Sequence, residues 1–406
     1  MIKIALAGAS VRVGAFVRAI QKEYFRTHSI VAVMDIDPGK LRGFCKKHSL
    51  DVPQFTDFDL MCDQTAVDMV IVSTVDSTHA RYIVNALDRK IGVISEKPLC
   101  ISVEQCRQIL DAHLRNPEVF AVTSHNSRYR PVARQLHELI SSKVCGDVLR
   151  VDYSEQLDLV HGKSYFRRWN SRRSCSNGLE LHKSTHHFDK LNYILDSHAV
   201  EVIADGKLSF YGASAPHEFE GENCHTCPHK EVCPDAITDY DRELFDSELY
   251  TPDMCIYSKD IDINDNFSAV IRYANGVYCN YSLCAHSHYE GETICFECTG
   301  GRIEARQLHF RDISKEQDSS PHDDKVVAEE SIRIYRFGAN RWENVPVASS
   351  VLAHGGADAG IFAELFSVPP SENLPTLADG IRAVLTGCAV VESSKTGKRV
   401  HVSNIV

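Results

Sequence analysis

The sequence of 406 residues contains no apolar run long enough to span a membrane, no internal repeat and no low-complexity tract. It also has no surplus of basic residues, because 44 Lys and Arg stand against 55 Asp and Glu, for a formal net charge of -11. A negative balance of this size disfavours non-specific binding to nucleic acid and to anionic membrane surfaces. The 43% of hydrophobic and 24% of charged residues are typical of a globular protein, and we expect neither nucleic acid nor membrane as its partner.

An export signal is also missing from the pattern. Residues 1–8 are too short for a signal peptide and have the character of a strand that enters a turn. Fifteen cysteines without such a signal indicate a reducing compartment, in which most of them are buried thiols. We therefore expect a cytoplasmic protein, and we expect cysteines to bind a metal only where they cluster.

Strand-like and helical patterns alternate through the first 124 residues. The apolar runs lie at residues 2–7, 29–34, 67–73, 91–95 and 120–123. They are nearly continuous, as in strands that are buried on both faces, and helical patterns separate them. This organisation predicts an α/β N-terminal domain, residues 1–124, with a doubly wound parallel sheet.

The pattern changes after residue 125. A helical pattern covers residues 182–195, and strand-like segments follow at 200–204, 207–211, 267–273, 277–283 and 293–299. Glycines mark turns among these segments. The sequence therefore predicts an α+β second domain over residues 125–406, with a large, mainly antiparallel sheet and a cysteine-rich insertion near residues 212–258.

The turn at residues 8–14 has the composition of a nucleotide-binding turn. Its small residues allow a pyrophosphate to approach the backbone amides at the start of the following helix. Asp35 ends the second strand, 21 residues after Gly14, where a carboxylate can accept both hydroxyls of an adenosine ribose. The usual second glycine is Ser10, so the motif is imperfect, and a tight turn without a ligand is the alternative.

The charges near this turn predict which dinucleotide binds. Asp35 and Asp37 would repel a 2′-phosphate, which favours NAD over NADP. Arg12 keeps NADP possible, because a guanidinium can pair with that phosphate.

A lysine follows the apolar run at residues 91–95. Lys97 lies in the tripeptide Glu96-Lys97-Pro98, directly after the predicted strand. The carboxyl edge of an open parallel sheet is where ligands bind, so an amine in this position is a candidate for catalysis. A surface lysine that only follows a strand is the alternative.

A second candidate cluster lies in the predicted helix at residues 182–195. His182, His186 and Asp189 are spaced i, i+4 and i+7, which predicts that they share one helical face. Imidazoles suit general acid–base work near neutral pH, and Asp189 could orient His186 through its second ring nitrogen. Two alternatives stay open: a hydrogen-bonded histidine pair in a core, and a zinc site on His182 and His186.

These features together resemble the Gfo/Idh/MocA oxidoreductases, which include glucose–fructose oxidoreductase and inositol dehydrogenase. The nucleotide turn, the tripeptide at residues 96–98 and the helix with His186 and Asp189 carry the resemblance. It implies an N-terminal Rossmann domain and a C-terminal α/β domain whose open sheet often forms homo-oligomers, here a dimer or tetramer. It also implies NAD(P)-dependent hydride transfer on a small-molecule sugar, sugar derivative or cyclitol.

The resemblance also implies roles for matching residues. Lys97 matches the lysine that contacts the reacting hydroxyl, and His186 matches the histidine commonly assigned as the base. His182 stands where many members have an aspartate, so it could itself be the base, with His186 positioning the substrate. The predicted cofactor-binding residues are Gly8, Ser10, Arg12, Val13, Asp35, Thr74, His79, Glu96 and Lys97.

The segment at residues 164–173 is both aromatic and basic. In a sugar enzyme Trp169 could stack on a pyranose ring, and an arginine could bind a carboxylate or sulfate. A basic loop packed by its own aromatic residues is the alternative. The predicted substrate-binding residues are Lys97, Asn126, Arg128, Tyr165, Arg168, Trp169, His182, His186 and Asp189.

Four cysteines form a cluster with metal-ligand spacing. Cys224 and Cys227 are separated by two residues, Cys233 follows, and Cys255 is the favoured fourth ligand, with His225 and His229 as alternatives. Such a set predicts a structural zinc ion that would hold together a long connection. An iron–sulfur cluster and free or redox-active thiols are the other interpretations.

Three functions are compatible with these patterns. The favoured one is an NAD-dependent dehydrogenase that acts on a hydroxyl carbon of a sugar or cyclitol. A second is an NAD-dependent glycosidase or lyase, which oxidises one carbon transiently and then eliminates at its neighbour. A third is a regulator that senses sugar and binds nucleotide without catalysis, and the presence of Lys97 and both histidines disfavours it.

Overall fold

A computed structural model describes residues 1–214, 221–240, 245, 247, 250–310, 327–347, 356–403 and 405–406. Within these residues the chain forms 15 strands in two sheets, with helices packed against them. None of the helices in this part of the chain is long and apolar enough to cross a membrane.

The first sheet has six strands, and all of its strand pairs are parallel. β1 to β6 are Ile2–Ala7, His28–Met34, Gln54–Phe55, Met69–Val72, Gly92–Ser95 and Ala121–Thr123. Their order is β3-β2-β1-β4-β5-β6, so the winding reverses between β1 and β4. A reversal of this kind opens a crevice at the carboxyl ends of the two strands. The predicted Rossmann sheet is thereby confirmed, and its ligand crevice lies beside β1 and β4.

Five helices cover the two faces of this sheet. α1 to α5 are Val13–Ala19, Pro38–Lys47, Phe58–Gln64, His79–Asp88 and Val103–Arg115. Side chains of Asp37, Asp57 and Ser102 accept backbone N–H groups at the starts of α2, α3 and α5, which satisfies donors that a helix leaves unpaired. The central strands are buried on both faces by these helices, which explains their continuous apolar sequence.

The second sheet has nine strands and is mainly antiparallel, as predicted. β7 to β15 are Val148–Asp158, Ala199–Lys207, Asn266–Tyr273, Tyr278–Ser287, Glu290–Cys298, Gly301–Phe310, Val327–Arg336, Trp342–Val345 and Val400–His401. Their order is β14-β13-β12-β11-β7-β10-β9-β8-β15. The central pair β7 and β10 is parallel, and every other pair is antiparallel.

The remaining helices lie against one face of this sheet or return to the first one. α6 to α12 are Pro131–Ser141, Leu159–Phe166, Arg173–Ser176, Leu179–His182, Thr185–Leu195, Ala357–Leu365 and Leu377–Thr396. α11 packs its aromatic residues on α1, with the rings of Phe362 and Phe16 4.7 Å apart. The expected boundary at residues 124/125 therefore stays a prediction, because the late helix α11 contributes to the core around the first sheet.

Two local predictions are wrong. The continuous helix over residues 182–195 is two helices, α9 and α10, separated at Lys183 and Ser184. The predicted strand over residues 207–211 is not formed, since β8 ends at Lys207. The carboxylate of Asp265 instead accepts the backbone N–H groups of residues 209–211 and holds them in a turn.

Candidate active site

The nucleotide turn begins where β1 meets the end of β4. Gly8 has φ +103°, and a Cβ atom there would lie 2.4 Å from the carbonyl oxygen of Ser73, so only glycine fits. The hydroxyl groups of Ser10 and Ser73 share a hydrogen bond of 2.7 Å. The backbone N–H of Val13 donates to the Ser10 hydroxyl at 3.1 Å. Ser10 therefore shapes the turn and the start of α1 in the place of the usual glycine.

Asp35 lies at the end of β2 and is buried. One carboxylate oxygen accepts the backbone N–H of Ala9 at 2.7 Å and the ammonium of Lys40 at 2.8 Å. The other oxygen accepts the backbone N–H of Asp37 at 3.1 Å. The acidic group expected for ribose binding is thus fixed against the turn at residues 8–14.

Arg12 lies away from Asp35, at the β5 side of the crevice. Its guanidinium donates to Glu96 at 2.8 Å and to Asp358 at 2.7 Å. Although burial lowers it, the charges of these two carboxylates raise the pKa of Arg12 above its usual value. The structure therefore does not place Arg12 beside the adenosine ribose, where it would pair with a 2′-phosphate. A buried nitrogen of the same side chain, Nη2, has no hydrogen-bond partner among the described residues.

His79 and Thr74 follow β4. The ring of His79 is buried, and its nitrogens lie 2.8 Å from the carbonyl oxygen of Pro98 and 3.2 Å from that of Thr74. Thr74 shares a hydrogen bond of 2.7 Å with the hydroxyl of Thr78. Both ring nitrogens of His79 face backbone carbonyls and tie the ends of β4 and β5 together, and the contact of this side chain with the cofactor stays a prediction.

Lys97 lies at the carboxyl end of β5, as the sequence predicted. Its ammonium donates to the carbonyl oxygen of His182 at 3.2 Å. Burial lowers the pKa of Lys97 to about 8, although the negative charges of Asp76 and Glu96 oppose the shift. The cation of Lys183 lowers it further. The amine is therefore held in the crevice with a proton that it can lose slightly above neutral pH.

His182 is oriented by Asp76, a residue that the sequence analysis missed. Nδ1 of His182 donates to the Asp76 carboxylate, which is buried in a short 3-10 turn after β4. Nε2 then carries the lone pair, and the side-chain amide of Asn170 donates to it at 3.2 Å. Burial lowers the pKa of His182, and the charge of Lys97 lowers it further. The charge of Asp76 acts in the opposite direction and raises it. The arrangement fixes one tautomer of a neutral imidazole.

His186 has different surroundings. Its Nδ1 shares a hydrogen bond of 3.1 Å with the hydroxyl of Ser127. Burial, followed by the charges of Lys97 and Lys183, lowers the pKa of His186 well below its usual value. Unlike His182, His186 has no carboxylate among these influences.

The predicted role of Asp189 as the orienter of His186 is wrong. Asp189 is fully buried and accepts two hydrogen bonds from Arg128, at 2.7 and 2.6 Å. A bidentate, buried pair of this kind holds both side chains in place, and their role as substrate-binding residues stays a prediction. The side-chain amide of Asn126 donates to Asp358 at 2.8 Å. The same carboxylate also accepts a hydrogen bond from Arg12.

Aromatic residues form one wall around His182. The rings of Tyr165 and Trp169 meet the His182 ring edge-on, with centroids 5.5 and 5.7 Å away. Burial raises the pKa of Tyr165 to about 12, so its hydroxyl stays protonated. That hydroxyl shares a hydrogen bond of 2.9 Å with His161. Two of the predicted substrate-binding residues are therefore brought together with His182, and Arg168 lies between them in the chain.

Beyond this wall lies a buried network of acids and bases that sequence reasoning also missed. Lys183 pairs with Glu155 at 3.3 Å, and His187 lies 3.5 Å from the same carboxylate oxygen. Although burial raises it, the charges of His187 and Lys183 lower the pKa of Glu155 to about 2. Side chains of Glu155, His187 and Glu292 are close enough to hold a metal ion. Lys190 pairs with Glu292, however, so both carboxylates already have a cation.

The structure brings the four cysteines of the insertion into one region. An isolated β-bridge joins Asn223 to Met254, and the thiol of Cys227 accepts the backbone N–H of His229 at 3.4 Å. Such N–H···S contacts stabilise a thiolate. Among the described residues, no three of the cysteine sulfurs come within 4.8 Å of one another. Cys255 lies near enough to the other three cysteines to interact with each of them electrostatically, but the four sulfurs do not form a closed tetrahedral site.

Two models of protein families match the chain. The first describes an oxidoreductase family with an NAD-binding Rossmann fold, named GFO_IDH_MocA, and matches residues 2–124. The second describes the C-terminal alpha/beta domain of the same oxidoreductase family and matches residues 137–402.

Individual proteins resemble the chain over different lengths. YteT of Bacillus subtilis (strain 168), provisionally named an oxidoreductase, is 33% identical over 392 residues, which is 90% of this chain and 89% of that protein. Inositol 2-dehydrogenase of Salmonella typhimurium is 26% identical over 136 residues, 34% of this chain and 38% of that protein.

Solved structures resemble the whole fold. The WlbA dehydrogenase from Bordetella pertussis, in complex with NADH and UDP-GlcNAcA, has a TM-score of 0.68 at 13% identity, covering 99% of each chain. An oxidoreductase from Agrobacterium radiobacter, in complex with NAD+, L-tartaric acid and magnesium, also has a TM-score of 0.68, at 14% identity over 99% of this chain and 98% of that one. At these identities the likeness concerns the fold.

Proposed function

The chain belongs to the Gfo/Idh/MocA family of NAD-binding oxidoreductases, and we propose that it is an NAD-dependent dehydrogenase of a sugar, sugar derivative or cyclitol. The observation that carries the proposal is the convergence of Lys97 and the pair formed by His182 and Asp76 at the carboxyl edge of the first sheet. A protonated amine beside an oriented neutral imidazole is suited to removing a proton from a hydroxyl group.

Two observations fit NAD at the turn. Gly8 leaves room where any side chain would meet the end of β4, and Nη2 of Arg12 is a buried donor without a partner among the described residues. The turn, Arg12 and Asp35 would hold the dinucleotide. When bound, NAD supplies the chemistry of accepting a hydride from a carbinol carbon.

Three residues of the chain would remove the proton, stabilise the developing charge and position the substrate. His182 takes the hydroxyl proton at Nε2 once the substrate hydroxyl replaces the Asn170 amide there, because Asp76 fixes its Nδ1 as a donor and stabilises the imidazolium that forms. The Lys97 ammonium stabilises the negative charge that develops on the oxygen. His186, held by Ser127 and surrounded by cations, is a poorer base and positions the substrate.

The wall around His182 supports the proposed substrate class. Tyr165 and Trp169 offer flat faces and edges of the kind that pack on the C–H faces of sugar rings. The relatives support this class, since one is an inositol 2-dehydrogenase and one fold neighbour was solved with a nucleotide sugar.

The experiment is a panel of sugars, uronates, inositols and glycosides incubated with NAD while the absorbance of NADH is followed. We expect stoichiometric NADH with at least one member, and loss of this signal in the variant His182→Gln. Cleavage of a glycoside without net NADH would instead identify the redox-assisted glycosidase. Binding without reduction or cleavage would identify a regulator.

The preference for NAD over NADP rests on Asp35 and Asp37. Both acids lie where a 2′-phosphate would approach, Lys40 is already paired with Asp35, and Arg12 points elsewhere. We expect kcat/KM with NAD to exceed that with NADP by at least about tenfold, since one unfavourable charge contact costs on the order of 1.4 kcal/mol. Equal values for the two cofactors would contradict this preference.

We also propose that Cys224, Cys227, Cys233 and Cys255 hold a structural zinc ion. The β-bridge and the N–H···S contact of Cys227 support the proposal, and zinc would draw the sulfurs closer together than they now lie. Metal analysis of protein purified without added metal should give close to one equivalent of zinc. Less than about a tenth of an equivalent of zinc and iron would refute any metal at this cluster.

The outer face of the second sheet supports a homodimer or homotetramer. Ile203, Val270 and Tyr278 expose apolar surface there. Light scattering after size-exclusion chromatography should give a mass of two or four chains, and a monomer at micromolar concentration would contradict this assignment.

A further inference from the structure

Four arginines lie in the segment at residues 167–173, and three of them have partners. Arg167 donates to the backbone oxygen of Asp235 at 2.6 Å. Arg172 donates to Asp260 at 3.0 Å, and Arg173 donates to Glu180 at 3.0 Å. Each of these three guanidinium groups therefore has an acceptor supplied by the protein.

Arg168 differs from its three neighbours. In the part of the chain that the structure describes, its guanidinium makes no hydrogen bond and no ion pair with another residue, and only its backbone carbonyl has a partner, the N–H of Ser171. Burial lowers the pKa of Arg168, and the charge of Arg167 lowers it too, with only the hydroxyl of Tyr165 acting in the opposite direction. A partly buried cation without a carboxylate loses part of its hydration, and no charge of the protein compensates for this loss.

The position of Arg168 connects this unsatisfied charge with the active site. It lies between Tyr165 and Trp169 in the chain, both of whose rings contact the ring of His182, and it is close enough to Tyr165 for the two groups to interact electrostatically. The other cation beside Tyr165 is Lys183, which is already paired with Glu155. Arg168 is therefore the group in this wall that can receive an anion without breaking an existing pair.

We infer that Arg168 binds a carboxylate of the substrate, so that the enzyme acts on acidic sugars such as uronic acids or uronate-ended glycosides. The inference rests on the proposed dehydrogenase function and narrows its substrate class. A planar guanidinium can donate two parallel hydrogen bonds to a planar carboxylate, which neutral sugars cannot accept in the same way. The aromatic rings beside it would pack on the sugar ring while His182 and Lys97 act on a hydroxyl.

The test compares sugars that carry a carboxylate with neutral counterparts. Glucuronate is set against glucuronamide, and galacturonate against galactose, with NAD reduction as the readout. We expect the acid of at least one pair to have a kcat/KM about 10- to 100-fold higher, as for one charged hydrogen-bonding partner. Arg168→Gln should remove that preference mainly by raising KM for the acid, and Arg168→Lys should restore part of it. Arg172→Gln, in the same segment but at the surface, is the matched control and should behave as the wild type.

The outcomes separate this inference from the function on which it rests. If no member of the panel reduces NAD, the dehydrogenase proposal itself fails. If neutral and acidic members react equally well and Arg168→Gln changes neither, the enzyme is a dehydrogenase and the acidic-substrate inference is overturned. A rise in KM for NAD alone would assign Arg168 to the cofactor and would also overturn it. Equal melting temperatures for Arg168→Gln and Arg172→Gln would show that a lost preference is not a folding defect.

Discussion

At the scale of single residues, Asp76 influences both His182 and Lys97. Its carboxylate accepts a hydrogen bond from Nδ1 of His182. Burial lowers the pKa values of both His182 and Lys97, and the negative charge of Asp76 opposes this lowering. In the proposed mechanism the active form has a neutral His182 and a protonated Lys97. The pH range of activity is then bounded below by protonation of His182 and above by loss of the Lys97 proton near pH 8.

Removing this charge should move both limits in one direction. In Asp76→Asn the pKa values of Lys97 and His182 both fall, because a charge that raises each of them is gone. We expect the whole pH profile of kcat/KM to shift to lower pH, and kcat to fall about 100-fold because the His182 tautomer is no longer fixed.

The control for this prediction is Asp88→Asn, which removes an exposed aspartate paired with Arg115 on the surface. Its pH profile should match that of the wild type. An Asp76→Asn enzyme with an unchanged profile would show that Asp76 does not set the charge of the catalytic pair.

At the scale of secondary-structure elements, the break between α9 and α10 decides which histidine is the better base. Ser184 ends α9 by donating its hydroxyl to the carbonyl oxygen of Leu179, and it also contacts Tyr281. The break separates His182, which faces Asp76, from His186, which faces Ser127. A continuous helix would have placed both histidines on one face, as their spacing alone indicated.

The buried pair of Arg128 and Asp189 fastens α10 to the 3-10 turn at Asn126–Tyr129. Asp189→Asn should therefore lower the melting temperature by at least several degrees, since breaking a buried ion pair costs about 3–5 kcal/mol. Asp147→Asn, which removes an exposed partner of Lys143, should leave the melting temperature unchanged. Equal melting temperatures for the two variants, measured by calorimetry, would contradict the structural role of Asp189.

Local sequence patterns predicted the elements of this fold well and the tertiary partners poorly. The strands of the first sheet, the turn at Gly8 and the lysine after β5 depend on residues that are close in sequence. Asp76 and His182 are 106 positions apart, and Arg128 and Asp189 are 61 apart. Helical spacing therefore suggested that Asp189 orients His186. In the fold, the Asp189 carboxylate instead accepts hydrogen bonds from Arg128, which lies on another element. One feature of the sequence could have indicated Asp76, because this residue follows a buried strand and lies at the same sheet edge as Lys97.

At the scale of the whole molecule, the cysteine-rich insertion touches both ends of the active-site crevice. The carboxylate of Asp235, in the insertion, pairs with Lys163 at 2.6 Å. Its backbone oxygen accepts a hydrogen bond from Arg167, next to the aromatic wall. At the opposite end, the backbone N–H of Ser247 donates to Asp37 at 2.8 Å, beside the expected ribose site. The insertion therefore links the substrate wall to the dinucleotide end of the first domain.

A metal in the insertion should consequently influence both binding sites. We expect Cys227→Ser to lose its metal and to show several-fold higher KM values for both NAD and the sugar substrate, with a smaller change in kcat. Cys62→Ser, a substitution of a partly buried cysteine outside the insertion, is the control. Kinetic constants equal to those of the wild type after verified metal loss would show that the insertion does not support the crevice.

The central claim is that Lys97 serves the chemical step rather than the end of a strand, and one variant tests it most directly. Lys97→Met keeps most of the length of the side chain and removes its charge, and Lys22→Met at an exposed position is the control. The measurement is NADH formation in a single turnover, with NAD affinity determined in parallel by calorimetry. We expect Lys97→Met to lose at least about 1,000-fold in the rate of hydride transfer while its NAD affinity stays nearly intact. Turnover at the wild-type rate by Lys97→Met would contradict this expectation.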